Sequence, residues 1–300
     1  MSRILFLLVP GVHLLDLAGP AQVFSTAADF GHDYTLSYVS AQPLVPSAQG
    51  VTLGAQTVWP ELDPEDLVLV PGWRCPTLAV APDLGPGVGQ RLRDHHARGG
   101  TVASVCAGAE ALGRAGLLDG RRCTTHHDVQ DELAARYPRA TVVRDVLFTV
   151  DDRVVTSAGI ASGIDLALHL VATRHGPAAA ARVARDMVVY ARRNGHEQQH
   201  SAMLRNRAHL DDIVHRAQDV IDDRYAERLP LAGLAASVGV SERTLTRQFT
   251  RATGLTPLRY QQTLRLERAE HLIAHGRTAE SAARSVGFEN PRMLRRLRAR

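Results

Sequence analysis

The sequence of 300 residues predicts an α/β domain with a mostly parallel sheet between helices, followed by an all-α domain with two helix-turn-helix units. Apolar runs alternate with helical patterns over the first two hundred residues, as in parallel α/β sheets. Two short sequences nearly repeat 48 residues apart, each ending in a glycine between two helical patterns. Positive charge is concentrated in residues 241–300, which contain 13 arginines and 5 glutamates, whereas residues 1–209 have a net charge of −1.

The α/β region divides into elements by its hydrophobic periodicity. Apolar runs predict strands at residues 4–9, 35–40, 67–70, 101–105 and 154–157. Asp151 and Asp152 predict a hairpin turn between 148–150 and 153–156. Helical spacing predicts helices at residues 16–28, 89–98, 107–115, 128–137, 162–175 and 177–189. The polar stretch 192–206 follows, so we predict a first domain over 1–190, a linker over 191–209 and a second domain over 210–300.

Cys106 lies at the bend where the strand over 101–105 runs directly into a helix. The small residues Ala107 and Gly108 allow a sharp turn that presents the thiol at the carboxyl edge of the sheet, where open α/β sheets bind ligands. A thiol beside a helix N-terminus is expected to have a lowered pKa. The alternative is a small buried cysteine that fills a turn. The strand-to-helix context favours a site.

Three further elements are predicted to converge on Cys106. Asp16 follows the first strand among apolar residues, where it either caps its helix or, partly protonated, hydrogen-bonds the thiol. Gly72 follows the third strand, and its amide could pair with that of Ala107 to hold an oxyanion or a carboxylate. His126 follows two threonines, where a histidine is more often a structural hydrogen-bonding group than a base.

The repeated glycines, Gly239 and Gly287, predict two helix-turn-helix units, because glycine adopts the positive φ of such turns. After Gly239, Ser241 is a good N-cap for a helix that buries Leu245 and Phe249. Asn290 caps the corresponding second helix, which Pro291 opens. The alternative interpretation is that these charged residues are ordinary surface residues of a small helical bundle. The repeat counts against this alternative. The side chains predicted to contact bases in the major groove are Arg243, Thr246, Arg247, Arg292, Arg295 and Arg296.

Composition excludes several classes of protein. No apolar run is long enough to span a membrane, and the N-terminal apolar run lacks a credible signal cleavage site. Cys75, Cys106 and Cys123 form neither a disulfide framework nor zinc-site spacing, so we expect a reduced cytoplasmic protein without a metal or cofactor. Clustered positive charge suits a polyanion such as double-stranded DNA. The chain contains no lysine, and this arginine usage throughout is most simply explained by codon bias.

Residues 210–300 resemble the AraC-type DNA-binding domain. The resemblance implies two recognition helices in adjacent major grooves, joined by a long central helix over 257–275. One position departs from the pattern, because Arg298 stands where relatives have an aromatic residue, and the chain then stops before a further turn and helix. We therefore expect a shortened, frayed second unit. The matching positions are Leu234, Ala235, Ser241, Leu245, Arg247, Phe249, Gly254, Pro257, Tyr260, Arg265, Leu266, Ala269, Ala282, Ala283, Val286, Gly287, Phe288 and Leu294.

Residues 3–190 resemble the ThiJ/PfpI superfamily, which implies a flavodoxin-like mostly parallel sheet related to class I glutamine amidotransferases. The similar stretches are 14–23, 67–72, 104–108, 115–120, 125–126 and 156–159, with Asp165. Cys106 and Asp16 fall on the superfamily's nucleophile and acidic-partner positions. Ala107 stands where peptidase-like members have histidine, which weakens a protease interpretation. The union with an AraC-type domain is similar to the GlxA-like regulators, whose front domain mostly serves as a sensor.

Three functions follow as hypotheses. The leading one is a homodimeric transcription regulator that binds DNA in response to a small, nitrogenous effector near Asp16, Gly72, Cys106 and His126, with RNA polymerase as a further candidate partner. The alternative is an isonitrile-hydratase-like or glyoxalase-like enzyme in which Cys106 attacks carbon and Asp16 moves a proton. The third is redox sensing through a sulfenic acid on Cys106.

Overall fold

The chain divides into two compact units, Met1–Gln199 and His200–Arg300, and each is described by itself. The predicted linker, residues 191–209, lies largely outside the described residues. The computed structural model describes residues 2–80, 82–189, 195, 199, 206, 209–274, 277–288 and 290–298.

The N-terminal unit is built on a six-stranded sheet in the order β2-β1-β5-β6-β10-β9. Every neighbouring pair is parallel except β9 with β10, which confirms the predicted mostly parallel sheet. Two smaller sheets pair β3 with β4 and β7 with β8. The strands are β1 (Ser2–Leu7), β2 (Tyr34–Val39), β3 (Leu44–Pro46), β4 (Thr52–Gly54), β5 (Leu67–Val70), β6 (Thr101–Val105), β7 (Arg122–Cys123), β8 (Thr141–Val142), β9 (Phe148–Asp151) and β10 (Val154–Ser157).

Six α-helices accompany this sheet in the described part of the unit. They are α1 (Leu14–Asp29), α2 (Val88–Ala97), α3 (Ala109–Arg114), α4 (Gln130–Arg136), α5 (Ser162–His175) and α6 (Pro177–Asp186). The chain crosses from β1 to β2 in one direction and from β5 through β6 to β10 in the other. Right-handed crossovers therefore place α1 and α2 on opposite faces of the sheet. Helix α1 packs with α5 and α6, and α2 packs with α3 and β6.

The differences from the predicted boundaries have local causes. The helix predicted to begin at residue 107 begins at Ala109, because Cys106 has a φ of 56° and a 3-10 turn, Cys106–Gly108, comes first. The helix predicted to reach residue 189 ends at Asp186, and Val188 has a φ of 54°, outside the helical region. The hairpin is confirmed, and its turn falls at Asp152 and Arg153, whose φ angles of 43° and 62° suit a two-residue loop.

The C-terminal unit is helical where it is described. Its helices are α7 (Asp212–Asp223), α8 (Leu231–Ser237), α9 (Glu242–Thr253), α10 (Pro257–Ala274), α11 (Ala279–Ser285) and α12 (Pro291–Arg298). Two separate apolar clusters form, one around Leu245, Phe249 and Tyr260 and the other around Val286 and Leu294. Helix α10 contributes to both clusters and is the long central helix that the sequence predicts. None of the helices described here is long and apolar enough to cross a membrane.

Candidate functional site

The predicted site forms where three neighbouring strands end. Asp16 lies in the first turn of α1 after β1, Gly72 comes two residues after β5, and Cys106 directly follows β6. The direction of chain crossing reverses between β1 and β5, and α/β sheets bind ligands outside the carboxyl ends of their strands at such a reversal. The fold therefore brings Asp16, Gly72, Cys106 and Ala107 together, as the sequence predicts.

Gly72 is the closest point of approach within this group. A Cβ atom added at Gly72 would lie 2.5 Å from Oδ2 of Asp16, 2.7 Å from Cβ of Cys106 and 3.0 Å from the backbone nitrogen of Ala107. No side chain fits in this space, so glycine is required for the three neighbours to pack as they do. A joint role of the Gly72 and Ala107 amides in holding negative charge stays a prediction.

Two further residues shape the bend at Cys106 and were not selected from the sequence as site residues. Gly159 has a φ of 69°, and a Cβ atom there would lie 2.4 Å from Cβ of Cys106. The hydroxyl of Thr125 donates a hydrogen bond of 2.8 Å to the carbonyl oxygen of Cys106. Gly159 follows the end of β10, which lies beside β6. Its position after a predicted strand was therefore the sequence signal that could have placed it near Cys106.

Asp16 is completely buried, and neither of its carboxyl oxygens has a hydrogen-bond partner of standard geometry in the described part of the chain. Burial raises the pKa of Asp16 to about 7, although the Gly72 amide and the Cys106 thiol lie close enough to lower it partly. The N-cap of α1 is His13, so Asp16 does not cap its helix. The structure therefore supports the other predicted state, a partly protonated carboxyl beside the thiol.

The predicted lowering of the Cys106 pKa is wrong. Burial raises the pKa of this thiol well above its ordinary value, and the nearby charge of Asp16 raises it further. The Ala107 amide acts in the opposite direction but does not outweigh them. Cys106 is only 8% exposed and lies within a 3-10 turn that separates it from the start of α3, so the sequence signal of a helix N-terminus overstated the stabilisation of a thiolate. At neutral pH Cys106 is a thiol.

His126 adjoins Thr125, whose hydroxyl binds the carbonyl of Cys106. Its Nδ1 lies 3.4 Å from a carboxylate oxygen of Asp128, and its ring lies 4.0 Å from that of His127. Ligand atoms of His126, His127 and Asp128 all lie within 4.8 Å of one another, so this partly exposed set could hold a metal ion. The absence of a metal or cofactor requirement stays a prediction.

The first predicted recognition helix, α9, has the expected two faces. Thr244 donates its backbone N–H to the hydroxyl of Ser241 at 3.2 Å, which confirms the N-cap. Leu245 and Phe249 are completely buried, and Gly239 has a φ of 76° in the preceding turn. The opposite face presents to solvent the exposed Arg243 and Arg247 with the partly exposed Thr246.

The second predicted recognition helix, α12, is also folded. Asn290 accepts a hydrogen bond of 2.9 Å from the backbone N–H of Arg292, and Leu294 is buried. Arg298, the residue that departs from the family pattern, lies 3.5 Å from a carboxylate oxygen of Glu270 on α10. An ion pair thus connects the end of α12 to the central helix. The side chains exposed on α12 include Arg292, Arg295 and Arg296.

The five predicted base-contacting arginines share one property. None makes a side-chain hydrogen bond or ion pair with another residue that the structure describes, whereas Arg298 pairs with Glu270. No side chain in the described part of the chain therefore occupies their guanidinium donors. The five are Arg243, Arg247, Arg292, Arg295 and Arg296.

Comparison with known proteins agrees with both halves of this description. Residues 2–173 match the DJ-1/PfpI family, and residues 234–300 match a helix-turn-helix domain. The chain is 29% identical over 290 residues to the HTH-type transcriptional regulator CdhR of Pseudomonas aeruginosa, covering 95% of this chain and 84% of that relative. It is 35% identical over 179 residues to isonitrile hydratase of Pseudomonas putida, covering 55% of this chain and 68% of the hydratase.

A solved structure of an AraC family transcriptional regulator from Pseudomonas putida superimposes with a TM-score of 0.55 and 26% identity, covering 62% of this chain and all of that one. The chain belongs to the DJ-1/PfpI family and continues into an AraC-type helix-turn-helix domain. Both domains lie within the match to the HTH-type transcriptional regulator CdhR, which covers 95% of this chain.

Proposed function

We propose that the chain is a transcriptional regulator that binds specific duplex DNA through α9 and α12, and that a small ligand beside Asp16 and Cys106 controls this binding. One observation supports the proposal above all. The described residues include two helices with exposed arginines and a buried carboxyl group that lacks a hydrogen-bond partner of standard geometry. Pairing as a homodimer and location in the cytoplasm are parts of the proposal, and RNA polymerase is a further candidate partner.

The exposed arginines suit DNA because of their donor geometry. A guanidinium group donates two parallel hydrogen bonds to O6 and N7 of guanine and also pairs with phosphate. Arg243, Thr246 and Arg247 would contact bases from α9, and Arg292, Arg295 and Arg296 would do so from α12. Within the described residues, binding DNA breaks no ion pair at the five arginines, because none of them has a partner there.

Asp16 indicates the chemistry of the ligand. A buried carboxylate without donors in good geometry is unfavourable, and a ligand N–H or ammonium group would supply such donors. Such a partner would lower the pKa of Asp16 from about 7, so binding near neutral pH would release a proton. Cys106 is only 8% exposed, so the site suits a small nitrogenous metabolite better than a large one.

A chain of hydrogen bonds leads from this site to the end of the N-terminal unit. Thr125 binds the carbonyl of Cys106 through its hydroxyl, and its own carbonyl accepts a hydrogen bond of 3.1 Å from the side chain of Gln199. Gln199 also donates to the carbonyl of Val146 at 3.0 Å, and it is the last residue of the unit. A ligand that moves the bend at Cys106 would therefore change how the chain leaves this unit toward the DNA-binding domain.

Selection of duplexes from a random DNA library at physiological salt tests DNA binding. We expect the full chain to enrich one family of sequences and to protect them from cleavage. If no sequence is preferred, DNA recognition is not the function of this chain. Arg216→Ala is a matched control for arginine variants, since Arg216 is exposed on α7 and pairs with Asp212.

Tryptophan fluorescence tests the ligand site, because Trp73 is adjacent to Gly72 and both tryptophans of the chain lie in the N-terminal unit. We expect some members of a panel of amino acids, betaines and amines to shift the emission of the wild type but not of Asp16→Asn. Calorimetry in buffers with different ionisation enthalpies should show proton release on binding. A shift that persists in Asp16→Asn would place the ligand elsewhere.

The coupling step has its own test. Gln199→Ala should still bind the ligand by fluorescence, while its affinity for the selected duplex should no longer respond to the ligand. Gln90→Ala is the control, since the side chain of Gln90 donates to Asp94 within α2. An unchanged response in Gln199→Ala would remove Gln199 from the coupling route.

A cysteine-dependent enzyme is the second candidate, favoured by the tight packing of Cys106 against Gly72 and Asp16. The raised thiol pKa weakens it, because the thiolate is the nucleophile, and a protonated thiol also reacts slowly with oxidants in a redox sensor. Cys106→Ser separates the functions. Turnover of isonitriles or glyoxals would disappear in an enzyme, whereas a sensor would keep its DNA binding.

A further inference from the structure

Arg265 on the central helix α10 holds three backbone carbonyl oxygens with one guanidinium group. Nε donates to the carbonyl of Tyr225 at 2.6 Å, Nη2 to that of Glu227 at 2.7 Å, and Nη1 to that of Gly287 at 2.8 Å. All nitrogens of the planar group are thus used in one fixed arrangement. A lysine has a single charged nitrogen and cannot reproduce it.

The three carbonyls are divided between the two helix-turn-helix units. Tyr225 and Glu227 lie in the connection between α7 and α8, which precedes the first recognition helix α9. Gly287 lies in the turn between α11 and α12, the second recognition helix. Gln261, about one helical turn before Arg265, donates to the carbonyls of Tyr225 and Glu227 at 2.9 Å each. Arg265 therefore joins a connection of the first unit to the turn of the second.

The two units also touch directly at this place. A Cβ atom added at Gly287, which has a φ of 82°, would lie 1.9 Å from the carbonyl oxygen of Ala226. The guanidinium carbon of Arg265 lies 5.8 Å from the centre of the Phe288 ring. Tyr225 packs against both apolar clusters, to which α10 also contributes. Besides the continuous helix α10, the two units are thus joined by a small contact centred on Arg265.

We propose that Arg265 is a positioning residue that fixes α9 relative to α12 and thereby sets the spacing between the two DNA subsites that the domain accepts. The proposal rests on the proposed DNA-binding function. Insertion of one base pair between the subsites turns the second about 35° around the duplex axis. A domain with fixed recognition helices cannot follow this rotation without losing contacts, whereas a domain with a loosened second unit can.

The test uses the duplex selected by the wild-type chain, together with versions that have one base pair added or removed between the two protected subsites. We expect the wild type to bind the altered duplexes at least about tenfold more weakly, as for the loss of contacts to one subsite. Arg265→Ala should bind the original duplex more weakly and should lose most of this preference for spacing. Arg268→Ala, an exposed arginine on the same helix, should keep the wild-type preference.

Circular dichroism shows whether each variant keeps the helices of the domain. If Arg265→Ala does not fold, two other variants test the same role. Arg265→Lys keeps the charge and most of the side-chain stem, and Gly287→Ala disturbs the same contact from the other side. Both should relax the spacing preference. A folded Arg265 variant that binds more weakly but prefers the original spacing as strongly as the wild type would overturn the positioning role alone. If the wild type selects no duplex, the proposed function itself fails and this role with it.

Discussion

The N-terminal site and the C-terminal surface both contain polar side chains that lack a standard hydrogen-bond partner among the described residues, but the two regions differ in exposure. Asp16 is completely buried, whereas the arginines of α9 and α12 lie in solvent. Water solvates the exposed guanidinium groups, so they remain charged at little cost. The buried carboxyl is not solvated, and its pKa rises to about 7 instead. The first region should therefore respond to pH and to a ligand, and the second to salt and to DNA.

The largest expected effect is on the stability of the N-terminal unit. The pKa of Asp16 is raised in the folded state, from 3.8 to about 7. The stability that this carboxyl contributes is therefore fully present below about pH 4, and it is lost as the pH rises through 7. Asp16→Asn removes this loss. Its free energy of unfolding should exceed that of the wild type by on the order of 4 kcal/mol at pH 8, and by little at pH 4. Denaturant unfolding followed by tryptophan fluorescence measures this difference.

Both tryptophans lie in the N-terminal unit, so this signal reports on that unit without a contribution from the helix-turn-helix domain. An advantage of Asp16→Asn that is the same at pH 4 and pH 8 would show that Asp16 is ionised in the folded protein throughout. The contrast between a buried titrating group and exposed permanent charges would then be lost.

The next effect concerns the exposed region. Arg247→Ala should weaken binding to the selected duplex by about 1–3 kcal/mol, because a guanidinium contact to a guanine edge is lost. Arg216→Ala should change binding by less than about 0.5 kcal/mol, as is usual for a surface substitution outside an interface. Titration of labelled duplex by fluorescence anisotropy at several salt concentrations measures both. Equal losses in the two variants would mean that α9 does not face the DNA.

The smallest effect is expected at Arg298. Its exposed ion pair with Glu270 is worth less than about 1 kcal/mol, so Arg298→Ala should weaken DNA binding less than about fivefold. Arg296→Ala, in which an arginine without a described partner is removed, should cost more. The same anisotropy titration compares the two. A loss in Arg298→Ala as large as that in Arg296→Ala would show that Arg298 leaves Glu270 to contact the DNA.

Sequence patterns predicted most of the framework because they report local geometry. The ends of β5 and β6 were placed correctly from apolar runs, and that of β1 within two residues. Parallel strands bring their carboxyl ends to one edge, so Asp16, Gly72 and Cys106 were predicted to meet. Glycines at turns and hydroxyls at helix starts depend on neighbours along the chain, so Gly239 and Ser241 were also predicted correctly.

Features that depend on residues far apart in the chain could not be predicted. The depth of burial that raises the Cys106 pKa depends on packing by Gly159 and Asp16, and no local pattern indicates it. Arg265 contacts carbonyls 40 and 22 residues away, and its place in the family pattern did not indicate which atoms it binds. The pairing of Arg298 with Glu270 likewise depends on how α12 packs against α10.

The most direct test of control by the N-terminal site is the affinity of the wild-type chain for its selected duplex, measured with and without a saturating compound that shifts the tryptophan emission. We predict that the compound changes this affinity at least about tenfold in the wild type, within the usual range of coupling between sites, and leaves Asp16→Asn unchanged. An unchanged affinity in a wild-type chain that demonstrably holds the compound would contradict the proposal.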